Sequence, residues 1–421
     1  MRTMPSAGRP SAANRGLYHA DGQIQGEVYA YGSFLQSKMY RHGVTCTDCH
    51  DPHSLTLKVP GDLVCAQCHQ PQRYASERHH HHPAGSTGAS CIACHMPQTL
   101  YMVVDARADH SLRIPRPDLT RKLGTPNACN GCHADRRVAW AEQATLDWYG
   151  PSLSRRAHFG EVLQAGRTGA PAADARLLTL AADAEQPGIA RATALSLLSG
   201  PLDAARMERL RPLLNDADDL VRAAALGVLD QADPHTRMAL AWPLLDDAVL
   251  AVRVEAARVL APLASGAPAD LNEDARARLA LGLEEYRATQ LANAERPESH
   301  LNLGLLDSDL QRPEAAEQAY RTALRLDPTF APAYVNLADL YRALGRDRDG
   351  EALLQQGLER LPDAASLHHA LGLLRVRQGQ FPAAIQSLTR AAALAPENTR
   401  YATIHALALE HARGNNERRR P

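Results

Sequence analysis

CTDCHDPHSLTLKVPGDLVCAQCH, residues 46–69, holds two copies of Cys-x-x-Cys-His and decides what kind of chain this is. The pattern returns twice, as CIACH and CNGCH. All eight cysteines therefore sit in four copies: Cys46, Cys49 and His50; Cys65, Cys68 and His69; Cys91, Cys94 and His95; Cys129, Cys132 and His133. None is left over for a disulfide. Two thiols one short turn apart, followed at once by an imidazole, are what covalent attachment of a c-type haem requires. The thiols form thioethers to the porphyrin, and the histidine takes the proximal face of the iron. Two plainer chemistries compete. Cys46, Cys49, Cys65 and Cys68 are spaced for a four-cysteine zinc site, and any single pair could be a redox dithiol. Neither needs a histidine after every second cysteine, yet all four copies have one. Four c-type haems are the expected cofactors.

A six-coordinate haem iron needs a second axial ligand, and imidazole suits it. Twelve of the 19 histidines precede residue 150, so spare imidazoles are plentiful. His53, in CHDPHS, lies too close to His50 to serve the same iron and is expected on a neighbouring haem. His110, in DARADHSLRIPRP, stands in a polar turn ahead of a proline-punctuated extended segment and is a further distal candidate. His42 is another, and His19 a weaker one. The run His79–His82 is internal and so is not a tag. Its four adjacent imidazoles point in different directions, so one metal site cannot use them all. The run is expected to supply distal ligands to two different haems. Met96 and Met102 offer axial thioethers, with packing against porphyrin as the plainer role. The prolines and glycines of this region leave few regular elements, so the porphyrins are expected to supply missing core volume.

Beyond His133 the text changes. RRVAWAEQATLDWYG (residues 136–150) has helical periodicity and is expected to close the haem region. ARATALSLL, VRAAALGVL and VRVEAARVL begin at Ala190, Val221 and Val252, a 31-residue period of HEAT-like helical units. Arg191, Arg222 and Arg253 recur in register, as expected of structural ladder residues. From about residue 297 a 34-residue period takes over. Gly304, Ala338 and Gly372 recur where facing helices come close, and Pro328, Pro362 and Pro396 where each helix pair ends. That is the tetratricopeptide pattern. His368 and His369 fall inside it, as packed or groove-lining residues. The expected architecture is mainly α: a loop-rich tetrahaem cytochrome c domain (1–150), HEAT-like repeats (151–290), then tetratricopeptide repeats with a capping helix (291–421), the last two forming an α-solenoid.

Formal net charge is -1, which gives no reason to expect nucleic acid or an anionic membrane as partner. No run of 18 apolar residues predicts a membrane span. The N-terminus lacks the apolar core of a signal peptide.

YAYGSFLQSKMYRHGVTCTDCHDPHSL (29–55), RHHHHPAGSTGASCIACHMP (78–97), YMVVDARADHSLRIPRPDL (101–119) and LGTPNACNGCH (123–133) together resemble a family of bacterial multihaem c-type cytochromes with C-terminal tetratricopeptide repeats. The resemblance is close over about residues 17–150 and generic beyond. It implies relatives with further upstream haem motifs and a signal peptide, so this chain is similar to the C-terminal half of such a protein. It also implies that His81, where relatives carry an aromatic, is the spectator of the histidine run. His80 and His82 are then the expected distal pair, with His79 in reserve. The expected function is electron transfer through mostly bis-histidine haems, with the solenoid docking a redox partner protein and an upstream haem region of the same protein as a second partner. One alternative is a multihaem oxidoreductase acting on a small nitrogen or sulfur compound at an open haem. Another is a repeat adaptor with structural or sensory haems. Thioether attachment in bacteria happens outside the cytoplasm, so a periplasmic or otherwise exported location is expected.

Overall fold

The computed structural model describes residues 16–26, 28–101, 104–152, 154, 156–264 and 272–417. Met102 lies outside the described residues, as does most of the N-terminal stretch read above for a signal peptide. Packing divides the chain at Leu244/Leu245 into two compact units.

In the first unit, the part that carries the four motifs is built from single helical turns. Cys46–Cys49, Leu63–Ala66, Glu77–His80, Cys91–His95 and Ala128–Cys132 are each four or five residues long. Isolated turns of this length do not hold themselves in water, so local caps do part of the work. Thr45 and Asp48 form a capping box, with the Thr45 N–H donating to Asp48 Oδ2 at 2.7 Å. Asn127 accepts the Asn130 N–H at 3.0 Å. The strands β1 (Gln98–Tyr101) and β2 (Asp105–Ala108) make an antiparallel hairpin with Gln98 opposite Ala108. Tyr18, Ile24 and Tyr101 form a small apolar cluster, and the Tyr101 hydroxyl donates to the Val28 carbonyl at 2.9 Å.

Longer helices follow: Val138–Tyr149, Phe159–Arg167, Ala173–Ala182, Gly188–Ser196 and Asp219–Val228. Their buried faces carry Leu177, Leu195, Val221 and Leu226, the apolar stripe that the 31-residue period predicts. Arg191 is buried, donates to the Ala181 carbonyl at 2.8 Å and pairs with Asp216. Arg222 donates to the carbonyls of Asp216 and Ala217.

The second unit repeats that last device: Arg253 donates to the carbonyls of Asp247 and Ala248, the same six and five residues back. Arg222 and Arg253 thus close the turns that precede their own helices, while Arg191 ties its helix to the end of the preceding one and to Asp216. Helical pairs then stack: Pro297–Asp309 with Pro313–Leu326, Ala331–Ala343 with Asp347–Arg360, Ala365–Arg377 with Phe381–Leu394, and Thr399–Glu417. The second helix of each pair ends two residues before Pro328, Pro362 or Pro396, where proline disfavours further helix. The small residues are also explained. A Cβ on Gly304 would stand 2.4 Å from the Tyr320 ring, and one on Gly372 would stand 2.7 Å from Leu388. His369 is buried and stacks on Tyr401 at 4.4 Å, a packing role. The architecture is mainly α and built of helical repeats.

Candidate haem-binding site

Each motif takes the same local shape. The N–H of His50, His69 and His133 donates to the carbonyl of the first cysteine of its motif at 2.8–2.9 Å, and His95 closes the helical turn Cys91–His95. One turn of helix puts both thiols and the imidazole on adjacent parts of one face.

Three of these histidines face a second imidazole. His50 and His110 have ring centroids 6.3 Å apart, His95 and His79 6.2 Å, and His133 and His82 6.1 Å. A metal–imidazole bond is about 2.0 Å and the ring centre lies about 1.1 Å beyond its nitrogen, so two rings trans across one metal have centroids about 6.2 Å apart. The three separations match that span. The free nitrogen is the right one in four of the six rings. His50 donates from Nδ1 to the Leu55 carbonyl at 3.0 Å, His95 to Arg113 at 2.8 Å, His110 to Ala108 at 2.9 Å, and His82 to His80. Each bond holds the ring and leaves Nε2 for the metal, the arrangement that metal-bound histidines use.

His69 differs. Its ring meets the edge of Tyr74 at 5.5 Å, and Tyr74 in turn meets His79 at 5.3 Å. Among the described residues, no imidazole ring is set against it. His42 and His53 are exposed, and the His53 N–H donates to Asp51 rather than approaching a motif histidine. His19 stays in the turn at residues 18–24, where burial holds its imidazole below the usual range. His80 accepts the His82 N–H on Nδ1; the reserve residue His79, not His80, lies opposite His95. His81 stacks flat on Trp148, with ring centroids 4.3 Å apart. Met96 is half-buried beyond the end of Cys91–His95.

Five of the thiols are half-buried, and Cys46, Cys68 and Cys132 are exposed. Burial pushes Cys49, Cys91, Cys94 and Cys129 up, and Cys65 up to about 11. Neighbouring motifs also crowd one another: Cys49 is raised further by Cys68, Cys65 by Cys91, and Cys94 by Cys129 and Cys132. Asp62, just before the second motif, accepts the Cys91 N–H at 3.0 Å and the Ser90 hydroxyl at 3.1 Å, which ties the second motif to the third.

Sequence reasoning missed Arg113. Its carbonyl orients His95, while its guanidinium reaches Asp109 at 3.2 Å, Ser111 at 2.9 Å and the Asp21 carbonyl at 3.2 Å. Asp21 and Asp109 are both buried. The short segment from Ala108 to Arg113 therefore braces ligands of two different motifs. No spacing rule marks an arginine whose backbone, rather than side chain, meets the histidine.

Comparison with known proteins supports two parts of the chain. Residues 39–74 match a doubled CXXCH motif, which holds two c-type haem-binding sites. Residues 309–374 and 366–400 match tetratricopeptide repeat models. No curated protein matches the sequence. Among solved structures, one titled as MamA is similar at 14% identity, covering 44% of this chain and 99% of that one with a TM-score of 0.28. A thermophilic TPR protein of Thermus thermophilus is similar at 20% identity, covering 56% and 98% with a TM-score of 0.26. At such scores these likenesses carry no argument. The matches correct the resemblance to a multihaem cytochrome family with C-terminal tetratricopeptide repeats. The motif match spans two CxxCH copies, not four, and the repeat matches are generic to helical repeats. The chain is a haem-binding CXXCH region joined to a tetratricopeptide repeat domain of the kind that docks partner proteins.

Proposed function

We propose that the protein transfers electrons through c-type haems on all four CxxCH motifs, with the helical repeats docking a redox partner. The observation that carries this is the set of three imidazole pairs at the across-metal span. Haem supplies one-electron exchange between ferric and ferrous iron. The residues' part would be to hold three of the irons from both sides: His50 with His110, His95 with His79, and His133 with His82 would favour electron exchange over substrate binding. The crowding of successive motifs, first to second, second to third and third to fourth, supports a continuous array in sequence order. We further propose the three-part organisation at residues 1–150, 151–290 and 291–421. No helix among the described residues is long and apolar enough to cross a membrane; export to the compartment where thioethers form is part of the proposal. The test is haem content and electron paramagnetic resonance of the purified full chain. Four haems per chain, at least three of them low-spin with bis-imidazole character, are expected. Two haems per chain would overturn the reading.

A second reading rests on His69, which among the described residues meets Tyr74 and no imidazole. A haem on Cys65 and Cys68 would then be open to a small ligand, as an oxidoreductase on a nitrogen or sulfur compound needs. Carbon monoxide binding to one ferrous haem in four favours it; no binding removes it.

A further inference from the structure

The helix Val138–Tyr149 meets the histidine set at three points, although it carries no histidine, cysteine or methionine of its own. Trp140 lies 4.8 Å from His133. Trp148 stacks on His81 at 4.3 Å with ring planes 6° apart, and Tyr149 meets the same ring edge-on at 5.7 Å. The Tyr149 hydroxyl donates to the His79 carbonyl.

His81 is where the histidine run changes direction. It caps the turn Glu77–His80 in the left-handed conformation, with φ at 57°. A side chain rarely settles there unless its surroundings hold it. The reversal lets His79, on the turn, face His95 while His82, beyond it, faces His133. Three residues span at most about 11 Å, so one short turn supplies the distal side of two sites. The His81 Nε2 is buried with no hydrogen-bond partner. An imidazole in that state works as a flat aromatic plate, and its polar nitrogen contributes nothing to the stack.

We propose that Trp148, acting through His81, is a positioning clamp for the distal ligands of two haems at once, so that the third and fourth haems respond as one unit. This rests on the bis-histidine reading above. Loosening the clamp lets the reversal relax, and His79 and His82 move together. Gly88 supplies a contrasting handle. A Cβ there would stand 2.2 Å from the His82 ring, and its three nearest atoms all belong to that ring.

The test is electron paramagnetic resonance of the oxidised, haem-loaded full chain, with haem content measured on the same samples. Trp148→Ala is expected to shift two of the low-spin signals and leave the rest. Gly88→Ala should shift one. Trp148→Phe and His81→Phe should restore the wild-type spectrum, because each keeps a flat ring in the stack. Trp148→Ala moving one signal, none, or all of them equally would overturn the clamp. A wild-type spectrum without bis-imidazole signals overturns the bis-histidine reading itself and the clamp with it, and it is distinguished by appearing before any substitution.

Discussion

His110 shows how much a single residue depends on its neighbours here. Its Nδ1 is tied to the Ala108 carbonyl and its ring is set 6.3 Å from His50. Replacing His110 with alanine should convert one low-spin haem to high-spin while haem content stays unchanged, since the thioethers and His50 remain. Absorption and paramagnetic resonance spectra check both halves of that expectation. The sequence marked His110 as a distal candidate, because it is a lone histidine in a polar turn, but did not name His50 as the ring it faces. The choice among His79, His80 and His82 was not. Neighbours in a run share composition and spacing, and only the left-handed reversal at His81 decides which rings turn toward His95 and His133.

At the scale of elements, the arginines of the 31-residue repeat lend themselves to a stability test. Arg191 and Asp216 form a buried pair, with side chains 5% and 15% exposed. Burial is the largest single influence and raises the Asp216 carboxyl, but the hydrogen bonds from Arg191 and the Asp218 N–H and the charges of Arg191 and Arg222 together outweigh it and hold the group below its ordinary value. A depressed carboxylate pKa contributes stability that is present above the unfolded value, about 3.9, and is lost as pH falls through the folded one. The pair's contribution should therefore persist to about pH 4 and fade below it, which a series of urea titrations against pH would read. Arg191→Ala leaves a buried carboxylate unpaired and should cost about 3–5 kcal/mol, with a smaller loss below pH 4 than at pH 7. In the tetratricopeptide region, Gly372→Leu drives a side chain into Leu388 and should lower stability by about 1–3 kcal/mol, seen as a lower urea midpoint. Here the sequence was informative throughout. A 34-residue recurrence of small residues and prolines reflects contacts between near neighbours in the chain, which local patterns record.

Across the whole molecule, apolar exposure is uneven. Among the described residues, 13 of the 19 large apolar side chains left exposed lie between Tyr29 and Tyr149. That region buries little of its own and is suited to being covered by porphyrin. Replacing all eight cysteines with alanine should therefore melt the motif region while the repeats stay helical. Limited proteolysis would then cut before about residue 150 and spare the rest, with most of the far-ultraviolet helical signal kept. Equal resistance on both sides would show that the motif region folds without cofactor.

The amino-acid sequence alone determined the CxxCH motifs and the repeat architecture. Both depend on spacings within one helical turn or between adjacent helices, and such spacings are written directly into the chain. What it left undecided was the pairing of imidazoles across the motifs, the Arg113 brace and the Trp148 clamp. Those join residues tens of positions apart through backbone carbonyls and ring faces. Their partners are selected by the packed shape of the region, and no local pattern encodes that shape.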